Sequence, residues 1–160
     1  MSLTRQTLLY VFRGESAARE VLLGEKLQGF GTGMIMGLGG HVEDGESDAE
    51  AAVREAHEEA GVQVELADAS RRATVTYRFP AQPSLDAEVA VFIGEPWTGH
   101  VTASDELRPE WFPVAQVPLD RMWDDEQYWL PCVLGGELLV AEFVFDDSGS
   151  KVAHHTVTRG

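Results

Sequence analysis

Gly37-Leu38-Gly39-Gly40-His41-Val42-Glu43-Asp44-Gly45-Glu46 leads through residues 47–53 into Arg54-Glu55-Ala56-His57-Glu58-Glu59-Ala60-Gly61-Val62. The second half of this stretch has the marks of a helix. Ser47 followed by Glu50 fits a capping box, in which hydroxyl and carboxylate each take a free backbone N–H at the helix start. Gly61 closes it, because glycine accepts the left-handed conformation of a helix end, and Val62 folds back as an apolar contact. Between these ends Ala49, Ala52, Val53, Ala56 and Ala60 recur at helical spacing and predict a buried stripe. Residues at i, i+3 and i+4 share a face, so Glu55, Glu58 and Glu59 project to one side, where like charges repel by roughly a few tenths of a kcal/mol per pair. They also sit at the negative end of the helix dipole, where stability alone favours Lys or Arg. A cluster placed against its own electrostatics implies a cation, and hard divalent ions that take carboxylate oxygens and bridge to phosphates fit best. Arg54 falls beside Glu58 on the wheel and is expected to grip a carboxylate bidentately. The glycine run lets a ligand or metal approach the backbone closely.

Composition narrows the setting. With 160 residues and 44% hydrophobic content the chain can bury a sizeable core, and residues 1–160 read as one domain. Twelve basic against 27 acidic residues give a net charge of -15, which repels polyanions and argues against a nucleic-acid partner. A small phosphate compound remains compatible where bound cations invert the local field. One cysteine, Cys132, excludes an internal disulfide and reads as a small buried hydrophobe in a reducing compartment. Leu8 to Phe12 is too short an apolar run for a signal peptide, and no segment is long enough to span a bilayer, so the expectation is a cytoplasmic protein with no membrane partner.

Elsewhere strands dominate. Thr7 to Phe12 and Glu20 to Lys26 are predicted strands, and Val62 to Leu66 follows the helix. Ala73 to Phe79 and Glu88 to Ile93 bracket the turn-rich Pro80 to Asp86, with a further short strand at Glu110 to Val114. A second helix is expected from about Asp124 to Leu134, stopped by Gly135-Gly136, although Pro131 lies inside it. Leu138 to Phe145 and Val152 to Thr158 suggest a closing hairpin. The fold class is therefore α+β, a mixed sheet flanked by helices in an α/β/α sandwich.

The residues Gly40, Glu46, Arg54, Glu55, Ala56, Glu58, Glu59, Gly61 and Val62 match the signature of the Nudix hydrolases at every separation, with only Ala56 smaller than usual. A match of so many fixed positions is far more specific than a three-residue motif. The chain resembles in particular the MutT-like branch that hydrolyses oxidised purine nucleoside triphosphates. Leu22-Leu23-Gly24, Gly29-Phe30-Gly31-Thr32-Gly33, Ser104-Asp105-Glu106-Leu107-Arg108-Pro109 and Met122-Trp123-Asp124-Asp125-Glu126-Gln127-Tyr128-Trp129 carry this likeness across nearly the whole chain. It implies the Nudix fold, a magnesium cofactor with manganese as a substitute, and a small-molecule nucleotide substrate. By the resemblance, the Gly39 carbonyl with Glu55, Glu58, Glu59 and Glu106 surrounds the metal. Trp123, Asp125 and Glu126 hold the base, Phe30, Tyr77 and Phe79 flank it, and Thr7, Lys26 and Met36 line the pocket. Met36 stands where the family has an asparagine, and a thioether cannot donate and accept as an amide does. Glu126 replaces an aspartate and adds a methylene.

The implied chemistry is cleavage of a nucleoside triphosphate such as 8-oxo-dGTP or 2-hydroxy-dATP to the monophosphate and pyrophosphate, by a monomer that cleans the nucleotide pool. A bound water loses its proton to a carboxylate as it attacks phosphorus. Glu58 or Glu106 is the candidate general base and Arg54 an orienting residue. Two other readings stay open. Met36 and Glu126 admit another nucleoside diphosphate derivative as substrate, and a catalytically silent binding module is the third. His154 and His155 are adjacent in a predicted strand and face opposite ways, so they do not suggest zinc.

Overall fold

Leu8 and Tyr10 point to one side of their strand, Leu9 and Val11 to the other, and all four are buried. Such a strand belongs to the middle of a sheet covered on both faces. The computed structural model describes residues 3–160 and places this strand, β1 (Thr4–Tyr10), between two neighbours. The other strands in chain order are β2 (Phe12–Arg13), β3 (Glu20–Lys26), β4 (Ile35–Met36), β5 (Leu38–His41), β6 (Val62–Gln63), β7 (Ala69–Arg78), β8 (Ala87–Gly94), β9 (Thr98–Gly99), β10 (Leu107–Pro113), β11 (Leu139–Phe145) and β12 (Val152–Arg159). The helices are α1 (Asp48–Ala60) and α2 (Glu126–Leu134).

A six-stranded sheet runs β12-β11-β7-β8-β1-β5. It is mixed: β1 with β8 and β11 with β7 are parallel, and the other pairings are antiparallel. Its two faces carry two cores. Leu9, Val11 and Leu38 pack with Ala52, Ala56 and Ala60 of α1. Leu8, Tyr10, Val89 and Val91 pack with Trp129, Leu130 and Val133 of α2. The α+β sandwich read from the sequence is the observed architecture. A second sheet of β10, β3 and β2, with β4 also on β3, stands beside it, and β6 pairs with β9.

The boundaries that differ do so for reasons of pairing. β1 begins at Thr4 rather than Thr7, because Thr4 to Gln6 ladder with β8 although their side chains are polar. It ends at Tyr10 because the chain crosses to the second sheet at Val11, whose carbonyl accepts from the Leu22 N–H. β7 starts at Ala69, its register shifting between Arg71 and Ala73. β10 starts at Leu107 because it pairs with the full length of β3. After Gln63 the chain leaves β6 for a 3-10 turn at Leu66–Asp68, so the strand expected to reach Leu66 stops short. The glycine run carries strand β5, held to β1 with Leu8 opposite Gly39 and Thr7 opposite Gly40. α2 starts at Glu126 rather than Asp124 and holds Pro131 in its interior. Cys132, expected to be fully buried, is half-buried, with an Arg159 guanidinium nitrogen 3.3 Å from its sulfur. Among the described residues no helix is long and apolar enough to cross a membrane.

Candidate active site

α1 forms as its sequence dictates. The Glu50 N–H donates to Ser47 Oγ at 3.1 Å, and the Ser47 N–H donates to the Glu50 carboxylate at 2.8 Å. Gly61 at φ 73° ends the helix, its N–H donating to the His57 carbonyl. Between them the alanine face is pressed to the sheet, which turns Glu59 inward beside β5 and leaves Glu58 and His57 in solvent. The Gly39 N–H donates to Glu59 Oε1 at 2.7 Å. Gly40 is pressed against Glu55, and a Cβ there would lie 2.6 Å from the Glu55 carboxyl carbon. The glycines thus let strand and helix close on a pair of carboxylates, and no other residue leaves that room.

Glu106, on the loop before β10, completes the cluster. One oxygen each from Glu55, Glu59 and Glu106 lies within 4.8 Å of the others. Three carboxylates that close are held against their mutual repulsion. Burial, opposed by the Gly39 hydrogen bond and assisted by the charges of Glu55 and Glu106, pushes the Glu59 carboxyl up to about 8. Burial also raises Glu55, against the pull of Arg54. A hard, all-oxygen donor set of this kind fits a divalent cation such as magnesium. Glu58, expected in the same set, does not join it. Its side chain is 57% exposed and is drawn toward Arg54 at 3.2 Å.

Arg54 ties the loop to the helix. Its guanidinium takes Glu46 bidentately, at 2.8 Å through Nε and 3.0 Å through Nη2. It also donates to Glu55 at 2.7 Å and to the His41 carbonyl at 3.0 Å. The bidentate partner is therefore Glu46 and not Glu58: the helix surface sets the i, i+4 pair, but the incoming loop delivers the better-aligned carboxylate. These bonds hold Glu46 below the usual carboxylate range and place the Glu55 oxygens.

The expected base-binding residues gather on the α2 side of the sheet. Phe30, 56% exposed, stacks on Trp123 with ring centroids 5.2 Å apart. Phe79 stacks on Phe145 at 4.8 Å, and Phe145 meets Trp123 edge-on. Asp125 and Glu126, acids of a kind that usually face solvent, are 1% and 4% exposed. The N-terminus of α2 is tucked under the sheet and carries them inside. Tyr77 Oη and Trp129 Nε1 both donate to one Asp125 oxygen, at 2.6 and 2.7 Å, and so fix the orientation of the carboxyl group. Burial raises both acids, and Asp125 further raises Glu126. Met36 is half-buried against both cores. Thr7, expected to line the pocket, is buried beneath the glycine strand with its hydroxyl 3.5 Å from the Gly40 carbonyl. Lys26 ends β3 close enough for its charge to pull the Glu59 carboxyl downward.

Two residues escaped the sequence reading. Trp129 closes the 122–129 segment with no role of its own in the sequence. Tyr10 sits inside an apolar alternation, and the one available signal was a hydroxyl at a position that Phe would fill equally well. His155 stacks on Tyr128 and Phe143, remote from the acidic cluster in the fold, and His154 lies opposite Val144 on the other face of the strand.

A fold in which a capped helix and a glycine strand bring signature carboxylates together is matched by the NUDIX domain family over residues 3–132. The chain belongs to the Nudix hydrolase family. It is 34% identical over 136 residues to an oxidized purine nucleoside triphosphate hydrolase of Mus musculus, covering 85% of each chain. A protein of the same description from Danio rerio is 34% identical over 134 residues, with 84% of each covered. Among solved structures, a mutator MutT protein from Bacillus halodurans superposes with a TM-score of 0.79 over 97% of both chains at 22% identity, a likeness of fold.

Proposed function

We propose that this protein is a magnesium-dependent hydrolase of nucleoside triphosphates that prefers oxidised purines such as 8-oxo-dGTP or 2-hydroxy-dATP and releases the monophosphate and pyrophosphate. The observation that carries the reading is the convergence of Glu55, Glu59 and Glu106 within 4.8 Å, in a chain that also holds the Phe30–Trp123 stack and two buried acids. The names of the mouse and zebrafish relatives support the same substrate class.

In this reading Glu55, Glu59 and Glu106, with the Gly39 carbonyl, hold the ion, and manganese substitutes for it. Such an ion, when bound, neutralises phosphate charge and lowers the pKa of a coordinated water. Arg54 fixes Glu55 through its 2.7 Å contact and leaves Glu58 at the solvent edge. Glu58, outside the trio, is the carboxylate available to take the proton of the attacking water. Lys26 meets a phosphate oxygen from the β3 side. Trp123 and Phe30 part to admit the base between their rings, and Asp125 and Glu126 read its edge. The net charge of -15 disfavours nucleic acid as a substrate, and the protein works as a monomeric, one-domain enzyme of the cytoplasm.

Steady-state rates on oxidised and ordinary purine triphosphates, with product analysis, test the proposal. It expects a higher kcat/KM for the oxidised forms and pyrophosphate as product. Equal rates on both, or faster cleavage of sugar nucleotides or dinucleoside polyphosphates, would instead favour the reading suggested by Met36 and Glu126.

A further inference from the structure

The face of β1 that turns toward α2 presents Leu8 and Tyr10 and is continued by Phe12, and all three are buried. An aromatic ring suits the middle position, but a hydroxyl does not, because a buried O–H without a partner loses its water and gains nothing. Tyr10 Oη is such an atom: it is buried and makes no hydrogen bond. Glu126 Oε2, at the start of α2, is another. Native chains satisfy nearly all buried polar groups, so two orphans in one layer call for an explanation.

The backbone has made room for this hydroxyl. A Cβ on Gly37 would lie 2.8 Å from two Tyr10 ring carbons and 3.0 Å from Oη, so the phenol stands against the bare Cα between β4 and β5. Met36, the neighbouring residue, packs against the same core as Tyr77 and Phe79. Its thioether donates nothing, which leaves the polar reading of a ligand at this wall to other side chains. Tyr10 shares its core with Tyr77 and Trp129, the two donors to Asp125, and Glu126 follows Asp125 in the chain, so Tyr10 lies on the side of the core that holds the buried acids. Asp125 already accepts from Tyr77 and Trp129, and the unspent hydrogen-bonding capacity belongs to Tyr10 and Glu126.

We propose that the Tyr10 hydroxyl, paired with the free oxygen of Glu126, is a specificity-determining group that hydrogen-bonds the edge of the substrate base. The proposal rests on the purine-nucleotide reading given above. It names the feature required of the base, an edge carrying a carbonyl beside an N–H, as an oxidised purine presents. Sites that leave buried polar groups for the ligand to satisfy discriminate strongly against bases that cannot do so.

Tyr10→Phe removes only the oxygen. The expected result is a Tm equal to or above that of the wild type, since an orphan is deleted, together with a fall of about tenfold in kcat/KM for the oxidised purine triphosphate, the worth of one lost hydrogen bond. Because the base lies away from the reacting phosphate, the loss falls on KM and leaves kcat nearly unchanged. Calorimetry with the product monophosphate, without metal, should show Kd weakened by the same factor. Wild-type kinetics and product affinity within about twofold in the variant would overturn the proposal while leaving the proposed function standing. A lowered Tm would overturn it too, since the hydroxyl would then have a partner inside the folded chain. A wild-type protein inactive on every purine triphosphate would remove the functional reading, and this inference with it.

Discussion

Glu59→Gln separates the electrostatic cost of the acidic cluster from its use. The amide is nearly isosteric and keeps a carbonyl oxygen to accept the Gly39 N–H that now reaches Glu59 at 2.7 Å. A carboxyl that ionises near 4.5 when unfolded and near about 8 in the fold binds more protons folded than unfolded across that interval. Its contribution to stability is therefore full below the lower value and is lost as pH rises through the upper one. The interval corresponds to roughly 5 kcal/mol. Below about pH 4.5 without metal Glu59 is protonated in both the folded and the unfolded chain, so Glu59→Gln should melt at nearly the same temperature there, and at neutral pH, where the unfolded chain alone has ionised, the wild type should already melt lower. At about pH 9 the wild type should melt lower than the variant by roughly 10 °C or more. Millimolar magnesium should reverse the order, because the ion requires the ionised carboxylate that only the wild type offers. Turnover of the variant should fall about a hundredfold or more, the loss of several kcal/mol of charge stabilisation. Thermal unfolding by circular dichroism across this pH range, with and without magnesium, and steady-state kinetics at saturating metal make the test. Equal turnover, or a wild-type Tm that does not respond to pH, would refute the reasoning.

Three further outcomes are expected. Arg54→Lys replaces a planar fork by a point charge and gives up the bidentate hold on Glu46 and the bond to the His41 carbonyl; kcat should drop about 10- to 100-fold, with a lower Tm, as rate and melting measurements will show. Gly40→Ala drives a methyl group into the Glu55 carboxylate, so calorimetry should find magnesium affinity reduced at least about tenfold while far-ultraviolet circular dichroism is unchanged. Tyr77→Phe takes one of two donors from Asp125 and should cost about 1–3 kcal/mol in denaturant unfolding and raise KM for the purine substrate.

The helix and the acidic face were legible because both are local. Ser47, Glu50 and Gly61 are read within one segment, and the capping box and left-handed closure form as written. The apolar run from Thr7 to Phe12 likewise marked a strand, and the structure buries Leu8, Leu9, Tyr10 and Val11 on its two faces. Long-range pairing was harder to read. Nothing in Leu38-Gly39-Gly40-His41 marks a strand, since glycine weakens β structure on its own, and only the ladder to β1 makes it one. Glu106 reaches Glu55 and Glu59 from a distant loop, which the motif cannot specify and only the family likeness suggested. Arg54 was assigned a partner by helical spacing, whereas the approach of the 42–46 loop supplied Glu46 instead. The burial of Asp125 and Glu126 has no local mark, since acids are usually exposed, and for Asp125 it goes with the hydrogen bonds from Tyr77 and Trp129. Tyr10 gave no pattern signal, because a tyrosine and a phenylalanine occupy an apolar alternation alike.

The central claim is that Glu55, Glu59 and Glu106 are held together to take a divalent cation on which hydrolysis depends. Manganese titration followed by electron paramagnetic resonance measures this directly, on the wild type and on the variant carrying Glu55→Gln, Glu59→Gln and Glu106→Gln together. Micromolar to millimolar manganese should be captured by the wild type, with loss of the free-ion signal, and should stay free beside a folded triple variant. Equal capture by both proteins, or none by the wild type, would contradict the account.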